Sequence, residues 1–215
     1  MSDNRVMYGV RWSVAANGGR ACPTGIECFV ENAQSFDVNG GAANVAIGPG
    51  DLVSREASGG MILTDGKETT PTDPYGVVIK VEPYWDGSKM VFGTTLPSDT
   101  TYGTVLERQS KLIVVPITAG VWEIDCDAKH STATLAGYQL LIGNNCEFIN
   151  SDYSLNGTAR PAPELDISEV ATTALGFRIV GISKTMHNQD FTGDNVKLLV
   201  EANTAQAPWT STTGV

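Results

Sequence analysis

Residues 75–92 read YGVVIKVEPYWDGSKMVF, and this stretch decides the fold class. Val77, Ile79 and Val81 alternate with Val78, Lys80 and Glu82, a period of two that sends successive side chains to opposite faces of a strand. Asp86-Gly87 follows, a dipeptide whose tolerance of positive φ suits a primed hairpin turn. The stretch therefore predicts a hairpin that runs out through residues 75–85, turns at Asp86-Gly87 and returns through residues 89–92.

The same signature recurs on both sides of it. Val6, Tyr8, Val10 and Trp12 occupy alternate positions; Trp122, Ile124 and Cys126 alternate with Glu123 and Asp125; Phe177 and Ile179 flank Arg178; and Val196, Leu198 and Val200 alternate with Lys197 and Glu201. Each pattern predicts a half-buried strand with one wet face. Asn17-Gly18, Asn39-Gly40, Asp65-Gly66 and Asn156-Gly157 supply further turn dipeptides. Helix signals are few: only residues 167–174, opened by Asp166 and Ser168, offer a capped turn, and Thr172-Thr173 weakens it. The expectation is an all-β protein of about ten or more strands, a small SH3-like barrel or a sandwich extended by additional antiparallel strands.

Composition divides the chain further. Residues 13–50 hold one base, Arg20, and three acids, Glu27, Glu31 and Asp37, among Gly, Ala and Asn, which predicts a long irregular segment. The expected organisation is an N-terminal strand and extended arm over 1–50, a β-barrel or sandwich body over 51–202, and an uncharged C-terminal tail over 203–215. With 14 Lys and Arg against 24 Asp and Glu in 215 residues, the formal charge is -10. That balance lacks the clustered cations that phosphate binding needs, so no nucleic acid is expected as a partner. The polar start, with Asp3 and Arg5, carries no secretory signature. The longest apolar run, residues 112–117, is broken by Pro116 and falls far short of the roughly 20 residues of a membrane span, so no membrane is expected either.

Candidate chemistry is sparse, and no catalytic residue, cofactor or resident metal is expected. Cys22, Cys28, Cys126 and Cys146 include no Cys-x-x-Cys pair; free thiols are the leading reading, with a Cys22–Cys28 bridge as the alternative. Cys22, Cys28, Cys126 and His130 have the ligand types of a zinc site, though Cys22-x5-Cys28 is wide for one. Glu123 and Asp125 share one face of a predicted strand at roughly 6 to 7 Å, the spacing of a glycosidase pair, but such pairs are common on wet faces. Asp125 and Asp127 could hold calcium without the spaced acids of an EF-hand. There is no Gly-x-Ser-x-Gly elbow, phosphate loop or His-Glu-x-x-His, and neither His130 nor His187 sits in a catalytic context. Asn156-Gly157-Thr158 fits a glycosylation triplet but reads equally as a turn.

From Gly48 to Asp127 the order of features becomes more specific. Gly48-Pro49-Gly50-Asp51-Leu52-Val53 opens a strand, Gly59-Gly60 breaks it, Gly76-Val77-Val78-Ile79 begins another, and residues 114–124, VVPITAGVWEI, close the stretch. This resembles the small β-barrel of tailed-phage capsid cement, or decoration, proteins over about 80 residues, and residues 137–150, GYQLLIGNNCEFIN, resemble in style the structural proteins of environmental phages. The resemblance implies a non-enzymatic virion protein, made in the host cytoplasm, that sits on the outer surface of an icosahedral shell. It also implies a homotrimer bound to the major capsid protein and strengthening the capsomer lattice. The chain departs from the smallest members by its extra β-rich region after residue 130. Within that reading Phe29, Phe36 and Trp209 are the candidate capsid contacts, carried on the arm and the tail, whereas Trp12 reads as core. The alternative is a carbohydrate-binding or adhesin-like β-sandwich module with an aromatic platform of Tyr84, Trp85 and Tyr102.

Overall fold

The computed structural model describes residues 9–30, 36–37, 42–43, 47–55, 61–63, 75–85, 88–96, 110–155, 158–172, 175–186 and 188–203. In chain order the strands are β1 (Arg11–Trp12), β2 (Ile26–Phe29), β3 (Phe36–Asp37), β4 (Ala42–Ala43), β5 (Leu52–Arg55), β6 (Met61–Leu63), β7 (Gly76–Val81), β8 (Tyr84–Trp85), β9 (Met90–Val91), β10 (Lys111–Pro116), β11 (Trp122–Asp125), β12 (Asn145–Cys146), β13 (Phe148–Leu155), β14 (Thr158–Leu165), β15 (Phe177–Ile182) and β16 (Lys197–Ala202). Among the described residues one short α-helix, α1 (Leu135–Gln139), interrupts them. The chain is nearly all β. A first sheet runs β1-β11-β16-β15-β12 and a second runs β2-β10-β7-β5-β6, with β13-β14, β3-β4 and β8-β9 as two-stranded ribbons.

Alternation along the strands of the second sheet builds two cores. Leu52, Val77, Val115 and Ile117 point toward the first sheet and meet Trp122, Ile124, Phe177, Ile179, Leu198 and Val200. Val53, Val78, Leu112 and Val114 point the other way, where Cys28, Val30, Ile47, Tyr84 and Leu96 cover them. Its inner strands β5, β7 and β10 thus bury apolar side chains on both faces. Val78 and Val81, three residues apart, share the second of these cores because the β7–β10 register shifts between Ile113 and Val114, an irregularity that turns both valines to one side.

The Gly48–Val53 segment explains its own composition. Gly50 takes φ 95° and Gly9 takes φ 81°, conformations that L side chains rarely adopt. A Cβ on Gly9 would run into the carbonyl of Gly50, the group to which Val10 N–H donates at 2.8 Å. Asp51 is buried, and its carboxylate accepts from Gly48 N–H at 2.6 Å, closing the turn that feeds β5.

Several expectations are corrected. The hairpin is confined to β8 and β9, with Tyr84 opposite Val91 and Trp85 opposite Met90; β7 pairs with β10 and β5 instead, and Pro83, which has no N–H to donate, follows it. The capped turn at Asp166 is a 3-10 turn over Ile167–Glu169, where Asp166 accepts from Ser168 N–H. The helix lies elsewhere, at α1, where the Thr134 side chain accepts from Gly137 N–H at 3.1 Å. Residues 13–50 do more than form an arm. β2 pairs with β10, Cys28, Val30 and Ile47 enter the second core, and the Asn17 side chain bonds both the N–H and the C=O of Val121. In the tail, Asn203 N–H donates to Gly176 at 3.0 Å; residues 204–215, with Trp209, lie outside the described residues.

Candidate functional site

The outer face of the first sheet gathers the charges that the sequence placed on wet strands. On β11, Trp122 and Ile124 enter the core, so Glu123 and Asp125 point outward together. Antiparallel pairing sets Arg11 of β1 opposite Glu123 and Lys197 of β16 opposite Asp125, which brings each acid beside a base. Arg11 donates to one oxygen of Glu123, and the Ser183 hydroxyl donates to the other. Lys197 Nζ stands 2.9 Å from Asp125 Oδ1, with side-chain exposures of 1% and 5%.

On β11 this face is buried, which corrects the half-buried expectation there; on β16 Lys197 is buried, while Leu199 and Glu201 keep partial exposure. The chain after β15 meets this face: the Ser183 hydroxyl reaches Glu123, and Asn188 ties this segment to β16, donating to the carbonyls of Ser183 and Lys197 and accepting from Lys197 N–H, each at 2.8 Å. Burial pushes the Asp125 carboxyl above its ordinary 3.8, while Lys197 and then Arg11 pull it back. Both oxygens of Glu123 are occupied, and Asp125 is engaged by Lys197. The pair is therefore built to hold strands and the covering loop in register rather than to offer a lone pair to a substrate.

Beside these charges the surface opens. A pocket of about 670 Å³ lies between the loop after β1 and Ser183–Thr185, with Arg11, Trp12 and Glu123 in its wall. A second, of about 650 Å³, extends toward α1, Ile142 and Phe191. The two share Ile182, Ser183, Lys184, Thr185 and Leu199, so they form one groove across the outer face. Leu140 and Met186 are 78% and 85% exposed; Leu140 directly follows α1, and Met186 directly follows Thr185 of the groove lining.

Other candidates disperse. All four cysteines are free, with Cys22 exposed and Cys28, Cys126 and Cys146 buried, so no Cys22–Cys28 bridge forms. Burial raises the Cys126 and Cys146 thiols, which keeps them neutral. Among the described residues, no three His, Cys, Asp or Glu side chains gather around a metal position. The His130 ring instead accepts from Thr132 N–H at 3.2 Å, and Asp127 accepts from Ile167 N–H at 3.0 Å, holding the 3-10 turn. His187 and the Asn156-Gly157 turn lie outside the described residues.

Of the aromatic candidates, Phe29 is 41% exposed on β2, an end strand of the second sheet, with the Lys111 ammonium 5.2 Å above its ring. Phe36 lies in β3, opposite Ala43, and its side chain is outside the described residues. Trp12 packs edge-on against Trp122 at 5.3 Å and donates from its indole N–H to Arg20 O at 2.9 Å. The platform of the sugar-binding alternative does not assemble on the described residues: Tyr84 is buried in the second core, and Tyr102 lies outside them.

Sequence reasoning missed Arg11, Ser183, Asn188 and Lys197. The signal for Lys197 was a single base inside an apolar run, Val196 to Val200, matched by the single acids inside the run Trp122 to Cys126. No family model, curated protein or solved structure matches the chain.

Proposed function

We propose that this chain is a non-enzymatic structural protein of a tailed-phage virion, bound to the major capsid protein on the outside of the shell, where it stabilises the capsomer lattice. The observation that carries the reading is where the motifs of the cement-protein resemblance come to lie. Gly50–Val53 and Gly76–Ile79 meet as neighbouring strands, with Leu52 opposite Val77 and Val53 opposite Gly76. The third motif, Gly120–Ile124, leads into β11, whose Trp122 and Ile124 pack on Leu52 and Val77 in one core. Three short segments that are degenerate singly thus lie around a single apolar centre, as a barrel motif requires. The occupied state of Glu123 and Asp125 favours a scaffold over a hydrolase.

Counting this chain against the major shell protein in purified particles, by quantitative mass spectrometry, tests the reading. A ratio near one copy per shell subunit is expected. A handful of copies, or none, sinks it.

A further inference from the structure

The two edges of the β13–β14 ribbon differ in character. Leu165 lies opposite Phe148, and its C=O turns away from β13 to accept from Asp127 N–H at 2.9 Å. Phe148 N–H likewise turns away from β14, donating to the Glu147 carboxylate at 3.3 Å. In an antiparallel pair such outward residues recur at every second position. The register therefore turns Asn150, Asp152 and Ser154 of β13 outward, and opposite them Pro163, Pro161 and Ala159 of β14.

Both prolines thus fall where the hairpin itself needs no N–H, and where they deny a donor to any strand approaching β14. β13 carries no proline, so its outward positions keep both donor and acceptor. Among the described residues β14 is its one sheet neighbour. A two-stranded ribbon is marginal alone and gains from a third strand. One edge is closed by residue type, and the other is left open to strand addition.

We propose that the outer edge of β13 is where this chain grips the shell protein, by pairing with an extended, basic segment of it. Charge selects that occupant. β13 holds one charged residue, Asp152, in a chain of formal charge -10. A second copy that pairs the three outward residues with their own equivalents sets Asp152 opposite Asp152, and like charges directly opposite are destabilising. A Lys or Arg on the incoming strand is favourable at the same place and makes the contact weaken with salt. Main-chain hydrogen bonds supply the affinity. The inference rests on the shell-binding reading and names the contact that serves it.

The experiment is co-sedimentation of the full chain with particles stripped of it, at low and high salt, with near-UV circular dichroism confirming the fold of each variant. Ser154→Pro and Ala159→Pro alter one cross-strand pair from its two sides. Ser154→Pro is expected to weaken shell binding by about 10-fold or more, because it removes an outward donor and sets a ring in the path of the partner strand. Ala159→Pro, on the edge already closed, should bind as wild type does. Asp152→Asn keeps the N–H and should bind more weakly, with less response to salt. Hydrogen exchange needs no variant: on binding, wild type should slow across 148–155 more than across 158–165. A wild type that leaves shells bare sinks the shell-binding reading and this contact with it. Wild-type binding alongside an indifferent Ser154→Pro, equal losses from both proline variants, or no slowing across 148–155 overturns the contact alone. So does a free wild type that dimerises while Ser154→Pro stays monomeric, which would assign the edge to a second copy.

Discussion

The two five-stranded sheets solve burial in opposite ways. In the second sheet, β10 carries Leu112 and Val114 to one core and Val115 to the other, and its ionisable neighbours, such as Lys111 paired with Glu27 at 2.8 Å, stay near solvent. In the first sheet, β11 carries apolar residues to one side only, and its other side is buried by pairing acids with bases under a loop. Apolar burial is non-directional and indifferent to pH. Burial through ion pairs depends on both partners being present and charged. The first sheet should be brittle toward loss of a single charge, and the second only toward loss of volume.

The largest expected effect breaks the first sheet. Lys197→Met leaves the Asp125 carboxylate buried without its base and should lower the urea unfolding free energy by about 3–5 kcal/mol near neutral pH. Adding Asp125→Leu should recover most of that loss. A single variant costing under about 1 kcal/mol would mean that the pair carries little.

In the second sheet, Leu112→Ala removes a fully buried side chain and should cost about 2–5 kcal/mol. The comparison sharpens with acid. The Lys197→Met penalty should shrink as Asp125 protonates, whereas the Leu112→Ala penalty should stay level across the same urea titrations. Parallel pH dependence of the two would erase the distinction between the sheets.

The smallest effect concerns Asp127, at the end of the same acidic run. Burial raises its carboxyl above 3.8, and the Ile167 N–H offsets this in part. Its folded value exceeds its unfolded one, so as pH climbs from 3.8 toward the raised value the unfolded chain ionises first and wild type loses stability. Above the raised value the penalty is constant. Asp127→Asn keeps an acceptor for Ile167 and should gain on wild type through that window, then hold a fixed advantage in thermal melts. A variant that instead falls behind as pH rises would show that the hydrogen bond outweighs burial.

How much of this was legible varies residue by residue. The alternation in Trp122 to Cys126 fixed which residues enter the core, since strand geometry is local. It could not show that Glu123 and Asp125 are covered, because Arg11 lies 112 residues from Glu123 and Ser183 lies 60 away. The β8–β9 pairing was legible from the sequence, but the partners of β7 were not, since β5 and β10 lie on either side of it in the chain and alternation within a strand does not name its neighbours. α1 was missed because five residues with one Thr cap leave almost no periodic trace.

By itself, then, the sequence determined the all-β class, the faces that Val77, Trp122 and Leu198 present to a core, and the absence of the familiar nucleophile and phosphate motifs. Those are consequences of backbone period and residue type, which each segment carries alone. The tertiary structure decided which faces stay wet, that the carboxylates serve the scaffold, and that a groove opens beside them. Those depend on segments far apart in the chain meeting in space, and burial is a property of the meeting.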